Sequence, residues 1–267
     1  MKETDRAVIA KLARASRGGL VSVAVAAAAL DLPARRAAVK LASLARRNWL
    51  RRARRGLYLV LPLEAEPGQP AVAEDPWVLA REAFSPCYIG GWTAAEHWGL
   101  TEQIFRSTLV VTAATIRARS EEILGHQFRL FRVPRARIRG AAEVWRGPER
   151  VAVSDRERTI IDSLRNPELA GGVRHVADIM REYGRSRERD VTKLVATART
   201  VASGAAWKRL GYLAECLWPA ETALVEEARK HLSAGNIRLD PGVHRTGQLL
   251  RRWGLVVNVP DLEPTTA

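Results

Sequence analysis

Cysteine is nearly absent from this chain of 267 residues, with two in all. Cys87 and Cys216 stand far apart and fit no Cys-x-x-Cys or Cys/His pattern. That excludes a disulfide framework and a zinc site and leaves two buried thiols as the expectation. No apolar run approaches the roughly 20 residues of a membrane span. The opening Met-Lys-Glu-Thr-Asp has no basic stretch followed by an apolar one, so no membrane partner is expected and the cytoplasm is the expected compartment. Gly-x-x-x-x-Gly-Lys and Gly-x-Gly-x-x-Gly are both missing, so the strand, Gly90-Gly91 turn and helix around residues 87–98 carry no phosphate cradle. Glu96 and His97 are neighbours, and neighbours on a helix point about 100° apart with no second ligand or nucleophile beside them. A structural or surface histidine is the expectation, with no catalytic residue, no metal and no cofactor, and hence no enzyme. Acidic residues are scarce in one place only. Residues 1–62 hold 14 Lys+Arg against 3 Asp+Glu, whereas the other 205 residues hold 29 against 26.

That segregation matters more than the total of +14, because Arg outnumbers Lys 37 to 6 and a coding bias toward Arg would raise the total alone. The composition, 47% hydrophobic and 27% charged, belongs to a folding chain, and the length suits two domains. Three prolines and a glycine between Pro62 and Pro70 cannot continue a helix or central strand, so the expected division is a domain over residues 1–62, a linker at 63–74 and a second domain over 75–267. Within the first, Val8, Ile9 and Leu12 recur at helical spacing up to Gly18-Gly19, and Ser22 caps a short apolar helix that stops at Asp31-Leu32-Pro33. Residues 34–48 form a third helix with Ala37, Leu41, Leu44 and Asn48 inward. Two strand-like runs at 49–52 and 57–61 flank Ala53-Arg-Arg-Gly56 as a hairpin. Helix, helix, turn, helix and basic hairpin is the order of a winged helix-turn-helix, whose third helix enters the major groove. The expected interface then follows: Arg35, Arg36, Lys40 and Ser43 at base edges, and Arg46, Arg47, Arg52, Arg54 and Arg55 on phosphates or in the minor groove, with Arg51 beside them. A winged helix that binds protein is the competing use of the same elements.

Beyond the linker, Asp75 caps a helix over 76–84, strands are expected at 87–89, 108–112, 127–133 and 150–153, and a helical stretch begins at Ser154 or Asp155. A last apolar run from Trp253 to Val259 reads as a closing strand. The fold class expected is therefore α+β: an N-terminal winged helix-turn-helix, then a mixed domain with a small sheet and a helical end. Trp207, Leu210, Leu213 and Leu217 make a core-facing stripe, with Lys208 and Arg209 lying off it as candidates to face an acidic partner.

Several segments in order carry a resemblance: Arg55-Gly-Leu-Tyr58, Asp75-Pro-Trp77, the run from Tyr88 through Gly90-Gly91-Trp92 to Trp98-Gly-Leu-Thr101, Arg156-Glu-Arg-Thr-Ile-Ile-Asp162, Trp207-Lys-Arg-Leu-Gly-Tyr-Leu-Ala-Glu215 and Trp253-Gly-Leu-Val-Val-Asn258. The chain resembles AbiEi-type antitoxins over nearly its whole length, most loosely in the Arg-rich stretch 117–150. What the resemblance implies is a transcriptional regulator of a bacterial toxin–antitoxin system in abortive phage infection. Its winged helix would repress its own operon by binding promoter DNA at inverted repeats, with cooperative self-association on DNA. Its C-terminal domain, residues 75–267, would counteract a nucleotidyltransferase-like toxin, with Lys208 and Arg209 as the candidate toxin-facing residues. A stand-alone winged-helix regulator whose second domain senses a ligand is the alternative.

Overall fold

The computed structural model of the chain describes residues 3–61, 75–138, 140–260 and 262. The expected linker at 63–74 lies outside them. The chain forms two compact units, one from residues 1–88, 106–138 and 143–152, the other from 89–105, 139–142 and 153–267. Helices and small sheets make up both, a mixed architecture as expected from the sequence.

The first unit opens with α1 (Glu3–Ala15), β1 (Leu20–Ser22), α2 (Val23–Leu30), α3 (Ala34–Arg46), β2 (Leu50–Arg54) and β3 (Leu57–Val60). Ser22 caps α2 by accepting from the Val25 amide at 3.2 Å, which satisfies one orphan donor of the first turn. Pro33 sits at the N-cap of α3, and Ala37, Leu41 and Leu44 are wholly buried, so the inward stripe is as the wheel predicts. The exception is Asn48. The helix ends at Arg46, and Asn48 turns the chain with φ 58°, a left-handed angle that Asn tolerates better than most residues, and faces solvent. β1 was not foreseen. It pairs antiparallel with β3, as β2 does, giving the order β1-β3-β2, and Gly56 (φ +81°) makes the β2–β3 turn. Ile9, Leu12, Val21, Ala26, Ala37, Leu41, Leu44, Leu50 and Tyr58 form one core beneath these elements.

α4 (Pro76–Phe84) follows, capped by Asp75, whose carboxylate accepts from the Trp77 and Val78 amides. β4 (Cys87–Ile89) comes next, then α5 (Gly91–His97), β5 (Ser107–Thr112), β6 (Ser120–Ile123), β7 (His126–Arg132), β8 (Ala142–Arg146) and β9 (Glu149–Val153). They make a sheet ordered β6-β7-β5-β4-β9-β8, with β5 and β7 parallel and β6 and β7 antiparallel. β6 and β8, which the sequence did not mark, fall in the Arg-rich stretch where the resemblance is loosest.

The second unit is mainly helical: α6 (Arg156–Arg165), α7 (Val173–Arg185), α8 (Val191–Val201), α9 (Gly204–Leu217) and α10 (Thr222–Lys230), then β10 (Ile237–Arg238), β11 (Gln248–Leu250) and β12 (Leu255–Val257). Asp155, Asp190 and Ser203 cap α6, α8 and α9 with their side chains. The closing strand β12 sits mid-sheet, parallel to β10 and antiparallel to β11.

Candidate nucleic-acid interface

α3 divides cleanly by side. At about 100° per residue its buried side is Ala37, Leu41 and Leu44, and the opposite side carries Arg35, Val39, Ser43 and Arg46, with Arg36 adjoining. Arg35, Arg36 and Arg46 are exposed, and their side chains make no hydrogen bond or ion pair among the described residues. The side chains of Arg51, Arg52 and Arg55 on the β2–β3 hairpin are exposed and equally unengaged among them. Ser43 is half-buried beside Arg36, and with Leu32, Arg35, Val39 and Lys40 these residues line a shallow concavity.

Three other expected residues are held by the fold itself. Lys40 and Arg47 lie at the rim of the exposed side toward α1, where Asp5 takes both: Lys40 Nζ donates at 3.1 Å and Arg47 Nη1 at 2.6 Å. Asp5 is the buried partner, 5% exposed. The Arg47 guanidinium, then the Lys40 ammonium, hold its carboxyl down to about 2 from an ordinary 3.8. Arg54 folds onto α4. Its Nη1 donates to the Ala83 carbonyl at 2.6 Å, and its guanidinium sits 5.1 Å from the Phe84 ring centroid. Thr112 Oγ1 donates to the next carbonyl, Phe84, at 2.6 Å. Two of the carbonyls that end α4 without helical partners are thus satisfied, one of them by the hairpin.

Lys208 and Arg209, expected to face a partner, are buried instead, 1% and 4% exposed. α6, α7 and α10 pack around α9, so lying off the Trp207 stripe does not mean facing water. Lys208 Nζ donates to the Gly235 carbonyl at 2.5 Å. Arg209 donates to the carbonyls of Leu164, Leu239 and Arg238 at 2.8–3.0 Å, placing its charge at the C-terminal end of α6, where a cation is favoured. Burial pushes the Arg209 guanidinium down to about 10, which still leaves it charged at neutral pH.

The segments behind the resemblance are mostly interior. Arg158 and Asp162 form a buried ion pair at 2.7 Å, the fully buried Trp253 donates to Glu215, and Asn258 bonds the backbone of Asp240 on both sides. Glu96 and His97 lie exposed at the end of α5, and among the described residues no three His, Cys, Asp or Glu gather as metal ligands. No described helix is long and apolar enough to cross a membrane. Sequence reading missed Asp5 and Val39; an acid among basic residues and an apolar residue on a charged side were the available signals.

No family model matches the chain, and no curated protein matches it. Among solved structures, the crystal structure of RV2827C protein from Mycobacterium tuberculosis is similar, with a TM-score of 0.57 over 93% of this chain and 89% of that one, at 18% identity. At that identity the likeness speaks for the mixed helix-and-sheet fold alone.

Proposed function

We propose that residues 1–62 are a winged helix-turn-helix that binds double-stranded DNA, with α3 as the reading helix and the β2–β3 hairpin as the wing. The observation that carries this is the unengaged cationic side of α3 opposite its buried stripe, continued by Arg51, Arg52 and Arg55 on the hairpin. Arginines held out of ion pairs in one small domain suit a polyanion, and a helix of 13 residues with one clear side fits the major groove. In this reading Arg35, Arg36 and Ser43 approach base edges. Arg46, Arg52 and Arg55 hold phosphates or the minor groove, and Asp5 fixes Lys40 and Arg47 at the rim.

The resemblance extends the proposal. The chain is the antitoxin of a bacterial toxin–antitoxin operon, repressing that operon at inverted repeats and counteracting a nucleotidyltransferase-like toxin through the part after residue 75. Its work is regulatory and protective in the cytoplasm, without a catalytic step. Two experiments test the two halves. Binding of the full chain to its own promoter, followed by fluorescence anisotropy, tests the DNA half. Co-expression with the neighbouring gene tests the other. Growth arrest by the neighbour alone, relieved by this chain, is the expected result; a harmless neighbour together with a small molecule that releases the DNA would support a ligand-sensing regulator instead.

A further inference from the structure

Val39 is the one apolar residue at the centre of the exposed side of α3. Its 63% exposure puts it among the few large hydrophobics open to solvent, and about 100° per residue sets it opposite Leu41, between Arg35 and Arg46 on one flank and Arg36 and Ser43 on the other. It lines the concavity that these residues share. Helix stability does not call for it, since Ala is the better helix former and occupies positions 34, 37, 38, 42 and 45 of the same helix. The core does not use it either. What a β-branched residue offers there is stiffness, because one side-chain rotamer dominates in a helix and holds both methyls in fixed positions.

On a reading helix, a fixed methyl among hydrogen-bond donors has a defined counterpart. The major-groove edge of an A·T pair presents the thymine C5 methyl, and it alone among the four bases offers an apolar group there. Resting on the DNA-binding reading above, we infer that Val39 is a specificity-determining residue that packs against a thymine methyl, while Arg35 or Arg36 addresses the neighbouring acceptors. The operator then carries a thymine at one position that no cation of the interface selects.

The test begins with selection of bound duplexes from a randomised pool by the full chain. Uracil then replaces thymine, one position at a time, in the selected site; this removes a methyl and leaves base pairing intact. Burying one methyl is worth about fourfold in affinity, so wild-type protein should lose about that factor at one thymine per bound domain and nothing elsewhere. Val39→Ala should bind the thymine site about as weakly as wild type binds the uracil site, and should no longer tell the two apart. The Ala variant keeps a good helix former at an exposed site, and circular dichroism and the thermal midpoint check that it folds. A selected site in which every thymine tolerates uracil, or a Val39→Ala protein that discriminates as well as wild type, overturns the inference while leaving DNA binding intact. Failure of the pool to yield any bound duplex overturns the DNA-binding reading itself, and the inference with it.

Discussion

At the residue scale, charge behaves according to its partner rather than its count. Asp5 takes both Lys40 and Arg47, and its depressed pKa has a direction that can be checked. A carboxyl held at about 2 contributes stability that is present above its ordinary value near 3.8 and is lost as pH falls toward 2. Acid titration of the folded protein should therefore show a steeper loss of stability between pH 4 and 2 in wild type than in Asp5→Asn. The same variant releases Lys40 and Arg47, so its affinity for non-specific duplex DNA should rise and become more salt-sensitive. Equal titrations and equal affinities in the two proteins would show that the clamp has no role. Arg209 makes the opposite case, a cation whose work is internal. Arg209→Ala leaves several carbonyls unpaired in a closed interior, and urea unfolding should register a loss above about 2 kcal/mol. The two thiols, expected to be buried, are half-buried but desolvated. Burial pushes Cys87 up to about 12 and Cys216 up to about 11, so both should resist iodoacetamide at pH 8 until the chain is unfolded.

At the scale of elements, what local chemistry encodes was legible and what distant pairing encodes was not. α2, α4 and β4 run between the residues that their caps and turns announced, because Ser22, Asp75 and Pro76 act within three residues of themselves. β1 is three residues long and exists because β3, more than thirty residues on, pairs with it, so no local signal marks it. β6 carries Glu121 and Glu122 side by side, and β8 places Glu143 and Trp145 on its exposed positions and Arg146 at its end, so neither shows a period-two apolar pattern. Within the candidate interface, the sequence marked α3 and the hairpin as cationic but could not tell unengaged cations from held ones. Arg54 is the instructive member, since its bond to the end of α4 makes it a support of the hairpin. Arg54→Ala should cost about 1–2 kcal/mol of stability as a lost charge-assisted hydrogen bond, whereas an Arg52→Ala, Arg55→Ala double variant should leave the thermal midpoint in place and weaken DNA binding to all sequences alike. Stability changes of the reverse order would dissolve that distinction.

For the molecule as a whole, the two proposed activities occupy different parts of the chain. The cationic side belongs to residues 34–55, and the later segments that carry the resemblance are packed inside the second unit around α6, α9 and β12. Those segments therefore serve interior packing, and on the proposed function a toxin-facing surface is to be sought among exposed residues. The Arg52→Ala, Arg55→Ala variant should keep full protection against the toxin in co-expression while losing repression, and toxicity in its presence would show that the activities are not separable. The central claim, that the exposed side of α3 meets duplex DNA, is tested most directly by the salt dependence of binding. Each phosphate neutralised by a cation adds about 0.9 to the slope of log affinity against log salt. Substituting Arg35, Arg36 and Arg46 together with Ala should weaken binding of the full chain to its promoter by at least tenfold at moderate salt, and the slope should become shallower in proportion to the phosphates that the variant leaves unneutralised. An unchanged affinity and slope in the triple variant would contradict the account.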